Sequence, residues 1–132
     1  MSTRGNYHFN EQGETQANVY VHSDNYPEYA VPRIYRFFNT VKAQTNDTRF
    51  DDSAYLPAKF VVFMANEMAR SNKPLDFLSV GIMKEDAGDS EYIYTIDCSG
   101  LTGGFPKVTG RSLDGDMVDI EVFRDAREEK PR

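Results

Sequence analysis

The sequence has a single cysteine and no long apolar segment. Because Cys98 is alone, the chain can form neither an intrachain disulfide framework nor a cysteine zinc site, which fits a reducing environment. The longest uncharged apolar run, from Phe60 to Ala65, is far shorter than the ~20 residues of a membrane-spanning helix. No apolar stretch near the N-terminus resembles a signal peptide. We therefore expect a cytoplasmic protein that does not interact with membranes.

Basic residues are scarce in one part of the chain. The net charge is −6, yet residues 1–84 hold nine acids and nine bases. Residues 85–121 hold nine acids against only Lys107 and Arg111. The acids are Glu85, Asp86, Asp89, Glu91, Asp97, Asp114, Asp116, Asp119 and Glu121. A protein that binds nucleic acid directly needs a basic surface, so this distribution argues against such binding and favours a basic partner.

Length and hydrophobic patterning predict one α+β domain over residues 1–123, followed by a charged C-terminal tail over 124–132. The 132 residues, 39% hydrophobic, suffice for one domain with a core. Alternating residues predict a hairpin that turns at residues 11–14, and further strands over 78–83, 91–98, 107–113 and 117–123. Helical periodicity predicts a helix from Arg33 to Lys42 and a second one capped by Asp51 or Asp52. The order ββααββ(β)β predicts a two-layer sandwich, an antiparallel sheet with two helices on one face.

Two short motifs resemble a known family. The chain contains Thr3-Arg4-Gly5-x-Tyr7-x-Phe9 and then Val19-Tyr20-x-His22-x-Asp24-x-Tyr26-Pro27. These segments are similar to the TRGxYxF strand and the VYxHxDGYP hairpin end of a family of small phage and prophage proteins. Asn25 stands where that family usually has glycine, so we expect Asn25 to adopt a left-handed conformation. The resemblance implies a phage origin, and hence the cytoplasm of a bacterial host, and a ββααββ layout, but it implies no reaction.

The acidic stretch predicts a binding surface on the open face of the sheet. In a strand over 117–123, Val118, Ile120 and Val122 would point inward, and the intervening acids would point outward. The surface so predicted consists of Glu91, Asp97, Asp114, Asp116, Asp119 and Glu121. Such a surface can attract a basic nucleic-acid-binding protein. The alternative is that an exposed sheet face is simply polar, which keeps a small protein soluble.

A second group of residues suggests a ligand pocket. Arg4, His22, Asp24 and Tyr26 lie near the end of the first hairpin, and Asp24 could set the protonation of His22 for acid–base chemistry. The structural alternative is that Asp24 caps an Asx-turn and pairs with Arg4. Nothing in the spacing of His8 and His22 requires a metal ion, so we expect no metal and no cofactor.

The tyrosines and Cys98 each have a structural interpretation. The tyrosines at positions 26, 29, 35, 55, 92 and 94 fit a protein-contact surface or the boundary of the core equally well. Cys98 has no candidate basic partner in its strand, so we expect a buried thiol that is not a nucleophile.

The sequence predicts a non-enzymatic, phage-type protein. It would bind and inhibit a host macromolecular complex involved in defence or nucleic-acid handling, in an anti-CRISPR-like manner, through the acidic face. The alternative function is a small-ligand or nucleotide binder, or a hydrolase, that uses the group of Arg4, His22, Asp24 and Tyr26. A third interpretation is a homo-oligomer paired through an exposed strand edge.

Overall fold

The first two strands form a β-hairpin, as their alternating pattern predicts. In the computed structural model, which describes residues 3–68, 75 and 78–126, β1 (Gly5–Glu11) pairs antiparallel with β2 (Glu14–Val21). Gln12 and Gly13 connect the strands with φ angles of 51° and 80°. Two successive residues with positive φ form a tight turn whose twist matches that of the strands. The predicted turn is confirmed.

The first helix begins earlier than its periodicity indicates. α1 (Pro27–Gln44) opens at Pro27, where the missing N–H has no helical acceptor in any case. The predicted start at Arg33 is therefore six residues too late, and Pro32 lies inside the helix. Pro32 removes only the bond that its N–H would make to the carbonyl of Glu28, one turn earlier.

The second helix begins where a capping residue stands in the sequence. Asp52 precedes α2 (Tyr55–Met68), and its Oδ1 accepts hydrogen bonds from the backbone N–H groups of Ala54 and Tyr55, both at 2.9 Å. These bonds satisfy donors that a helix start leaves without partners. The bonds from Tyr55 and Ala54 also hold the pKa of Asp52 below its usual value. The prediction of Asp52 as a cap is confirmed.

The sheet is mixed. The remaining elements are β3 (Val80–Ile82), β4 (Tyr92–Thr102), β5 (Phe105–Ser112) and α3 (Ile120–Ala126). The five strands follow the order β3-β2-β1-β4-β5. The predicted α+β sandwich is confirmed, but the fully antiparallel sheet is wrong for one pair, because β1 and β4 run parallel. A parallel neighbour requires a long crossover, which α1 and α2 supply between the two hairpins.

The predicted last strand is wrong. Only Met117 makes a bridge, to Arg111, and the chain then enters α3. Ile120 and Phe123, three residues apart, pack against the core as one face of a helix, whereas Val122 is 57% exposed. The alternation that predicted a strand is thus equally compatible with a helical turn. The domain boundary placed after residue 123 falls inside α3, and residues 127–132 of the predicted tail lie outside the described residues.

One face of the sheet packs against the helices. Its buried side chains are Tyr7, Phe9, Val19, Val21, Tyr94, Ile96, Cys98 and Val108, and those of the helices include Ile34, Phe37, Phe38, Phe60 and Met64. The rings of Tyr7 and Phe60 lie 5.1 Å apart between the two layers. Burial raises the pKa of the Cys98 thiol to about 12, so it stays protonated at neutral pH. Cys98 is therefore the buried, unreactive side chain that its strand predicts.

The corner between β2 and α1 is organised by the buried side chain of Asn25. Its Nδ2 donates to the carbonyls of Thr3 and Val21 at 2.8 Å, and its Oδ1 accepts from the hydroxyl of Tyr7 at 2.6 Å. The residue with positive φ is Asp24, at 64°, and not Asn25. The expectation of a left-handed Asn25 is therefore wrong. Asn25 is a hydrogen-bonding hub, which fixes where α1 leaves the sheet.

Candidate functional site

The six acidic residues predicted to share one sheet face lie on three parts of the molecule. Only Glu91 and Asp97 belong to the side of β4 that faces away from the helices. Asp114 and Asp116 lie in the turn after β5, and Asp119 and Glu121 lie at the start of α3. Asp119 accepts a 3.4 Å hydrogen bond from the Val122 N–H, and Glu121 pairs with Arg124 at 3.5 Å. The single acidic face is wrong, because α3 packs against α1 in the helix layer.

The open face of the sheet carries both signs of charge. Asp97 lies directly across from Lys107, and Arg111 occupies the same side of β5. The loop over residues 83–91 crosses part of this face. There Asp86 accepts from His8 Nε2 at 2.5 Å and from Asn18 Nδ2 at 2.9 Å. This surface is therefore neither uniformly acidic nor fully open.

The loop is tied to the sheet by a network of polar side chains. Asn6 donates to Asn18 at 2.7 Å and accepts from the Ser90 hydroxyl at 2.5 Å. Partial burial by itself raises the pKa of Asp86. The hydrogen bonds from His8 and Asn18 and the charges of His8 and Arg111 outweigh it, so this pKa lies below its usual value. Sequence patterns did not predict this network, because Asp86 and His8 are far apart in sequence.

Three of the predicted acids do converge at one end of the sheet. The carbonyl of Glu91 accepts from the Leu113 N–H at 2.8 Å, which places Asp114 next to Glu91. The carbonyl of Asp116 accepts from the Ser112 N–H at 2.8 Å, which folds the turn back onto β5. Gly115 permits this turn with a φ of 95°. Glu91, Asp114 and Asp116 therefore lie at the same end of the sheet.

Tyrosines adjoin these acids. The rings of Tyr26 and Tyr92 meet edge to face with centroids 5.9 Å apart. Burial raises the pKa of Tyr92, and the nearby Tyr26, Glu91 and Glu28 raise it further. The charges of Glu28 and Glu91 thus act on the Tyr92 hydroxyl. We call the group of Glu28, Glu91, Asp114, Asp116, Tyr26 and Tyr92, which spans both sides of this end of the sheet, the acidic end.

The acidic end is open to solvent and carries free charges. Tyr26 is 44% exposed, and Leu113 and Met117, which flank Asp114 and Asp116 in the chain, are exposed as well. Within the part of the chain that the structure describes, none of its four carboxylates forms an ion pair. Arg4, the nearest base along β1, is paired with Asp89 at 3.1 Å. The group combines negative charge with exposed apolar area, which is the composition of a protein-contact surface.

The proposed pocket of Arg4, His22, Asp24 and Tyr26 is not assembled. Arg4 pairs with Asp89 over the open face, and His22 Nδ1 lies 3.1 Å from the Tyr20 hydroxyl. Tyr26 packs against Tyr92 on the helix side. The structural alternative is also wrong in its details, because Asn25 and not Asp24 makes the local turn bonds. The sheet separates Tyr26 from Arg4 and His22, because residues 4 and 22 continue β1 and β2 on the open face whereas Tyr26 lies where the chain turns into α1.

Three negative findings complete the description. No group of three or more His, Cys, Asp or Glu residues that could hold a metal ion occurs among the described residues. None of the helices in the described part of the chain has the length and hydropathy needed to cross a bilayer. Comparison with protein-family models, with curated proteins and with solved structures returned no match.

Proposed function

We propose that this protein is a non-enzymatic, phage-type protein that binds and inhibits a host macromolecular complex through its acidic end. The observation that carries the proposal is a set of four carboxylates without ion pairs among the described residues, at the end of the sheet where Tyr26 is exposed and Tyr92 is half-buried. The partner is a basic, nucleic-acid-binding protein or complex of a defence or nucleic-acid-handling system, as for an anti-CRISPR protein. The phage origin is supported by the motifs in β1 and β2.

Each component of the acidic end has a physical role in such binding. Carboxylates without internal partners retain their full attraction for the lysines and arginines of a partner, and this attraction accelerates association. Tyr26 and Tyr92 offer aromatic faces on which a guanidinium stacks. Exposed Leu113 and Met117 add apolar area that is covered on binding.

The six predicted acids provide a matched pair of variants. The test variant Glu91→Lys/Asp114→Lys/Asp116→Lys reverses three charges at the acidic end. The control variant Asp97→Lys/Asp119→Lys/Glu121→Lys makes the same change in net charge on other surfaces. Thermal unfolding of both variants verifies that they fold.

The experiment is capture of proteins from a nuclease-treated bacterial extract by the immobilised full chain. We expect the wild type and the control variant to capture the same basic nucleic-acid-binding protein, and the test variant to lose it. Excess duplex DNA should release the captured protein, because the acidic end and the nucleic acid would use one basic surface. Equal capture by both variants would contradict the assignment to the acidic end.

A further inference from the structure

A second concave surface lies between α1 and α2, away from the acidic end. Its floor is formed by Phe37, Val41 and Phe63, and the rings of Phe37 and Phe63 lie 5.5 Å apart. The groove encloses about 330 Å³. This volume lies at the lower end of the range for sites that hold small molecules, about 300–1,000 Å³.

The rim of the groove exposes apolar side chains that a folded chain normally covers. Val62 is 61% exposed and Tyr55 is 55% exposed, and both line the opening. The ion pair of Arg36 and Glu67, with an Nη2–Oε1 distance of 2.9 Å, joins the two helices farther along the hairpin. The helices are thus held together beyond the groove, which favours a preformed cavity over one that opens only on binding.

Lys59 makes the groove favourable for a negatively charged group. Among the described residues it is the only charged side chain that lines the groove, and it is half-buried. Within the described residues Lys59 makes no ion pair, although the chain as a whole has a net charge of −6. A lone ammonium group beside an apolar floor is complementary to a ligand with an apolar body and one anionic group.

We propose that the groove between α1 and α2 binds a small amphiphilic carboxylate, with its hydrocarbon portion on Phe37, Val41 and Phe63 and its carboxylate at Lys59. This site is independent of the acidic end, which lies at the N-terminal end of α1, where Glu28 is located. An anion would be repelled there and attracted to Lys59.

Decanoate is a suitable probe, and decanol is its neutral counterpart. We expect saturable 1:1 binding of decanoate to the full chain by calorimetry, with decanol about tenfold weaker because it lacks the charge-assisted contact. Lys59→Met should weaken decanoate about tenfold and leave decanol unchanged. Lys42→Met, which removes an exposed lysine of α1 outside the groove, should change neither affinity.

Ala58→Trp tests the location, because Ala58 is exposed on the groove wall and an indole would occupy the cavity. Binding should be lost in this variant. Should it fail to fold, backbone chemical shifts of the wild type supply the same information, since perturbations by decanoate should centre on Lys59, Val62 and Thr40. No saturable binding, equal affinities for decanoate and decanol, or perturbations elsewhere would overturn the proposal. Binding of an amphipathic helical peptide with no binding of decanoate would overturn it as well.

Discussion

At the scale of single residues, the side chain of Asn25 explains why position 5, which lies against it, is glycine. A Cβ added to Gly5 would lie 2.8 Å from Cγ of Asn25, which is closer than real side chains allow. The position of the Asn25 amide therefore depends on the absence of a side chain at position 5. The φ of Gly5 is not in the left-handed region, so this contact alone excludes alanine.

We predict a strong coupling between positions 5 and 25. Asn25→Gly should lower the free energy of unfolding by about 2–3 kcal/mol, because buried carbonyls and the Tyr7 hydroxyl lose partners. Gly5→Ala should cost about 1–3 kcal/mol in the wild type and much less in the Asn25→Gly background. Urea unfolding of the four chains in a double-mutant cycle measures this. If the effects of the two substitutions were additive, they would contradict the contact between Gly5 and Asn25. The control is Asn39→Ala, at an exposed position of α1, which should change the free energy of unfolding by less than about 0.5 kcal/mol.

Asp86 predicts a pH dependence of stability. Its pKa is lower in the folded chain than in the unfolded chain, so folding favours the ionised carboxylate. The stabilisation by Asp86 is therefore fully present above the ordinary aspartate pKa of about 4 and is lost as the pH falls through the folded value. The free energy of unfolding of Asp86→Asn should be lower than that of the wild type at neutral pH, and the two should converge below about pH 4. A difference in the free energy of unfolding between Asp86→Asn and the wild type that stays constant down to the lowest pH would contradict this role. Asp114→Asn, in an exposed turn, serves as the control.

At the scale of elements, local signals account for the parts that the sequence predicts correctly. The turn at Gln12 and Gly13, the cap at Asp52 and the alternation of Tyr92, Tyr94 and Ile96 act within a few residues of the chain. The parallel pairing of β1 and β4 was not predictable in this way, because it depends on how the two hairpins pack side by side. The sequence did not predict α3, because the positions of Val118 and Ile120 fit the period of a strand as well as that of a helix.

The helix observed over residues 120–126 and the strand predicted from the sequence imply opposite mutational effects. In α3, Phe123 packs against the core and Val122 is exposed; a strand would bury Val122 and expose Phe123. We expect Phe123→Ala to lower the free energy of unfolding by about 1–2 kcal/mol, less than for a fully buried phenylalanine. Val122→Ala should change it by less than about 0.5 kcal/mol. Chemical denaturation measures both changes in the free energy of unfolding. A larger loss for Val122→Ala than for Phe123→Ala would contradict the helix and favour the strand.

At the scale of the whole molecule, the fold redistributes a charge that is continuous in sequence. The segment 85–121 holds the excess of acids, but the chain places them in the loop over the open face, at the acidic end and at the start of α3. Of the six predicted acids, Glu91, Asp114 and Asp116 lie at the same end of the sheet. Glu28 joins them from a neutral part of the sequence, and no local pattern could have shown this because α1 brings it there.

Binding of the captured partner by the two charge-reversed variants, measured at two salt concentrations, tests the role of the acidic end most directly. At about 50 mM salt we expect Glu91→Lys/Asp114→Lys/Asp116→Lys to bind at least tenfold more weakly than the wild type, since each reversed contact costs about 0.5–1 kcal/mol. This difference should shrink at about 300 mM salt through screening. Asp97→Lys/Asp119→Lys/Glu121→Lys should bind within about twofold of the wild type throughout, because exposed charges farther away than a Debye length are screened. If the two variants lost affinity equally, net charge and not the acidic end would account for binding.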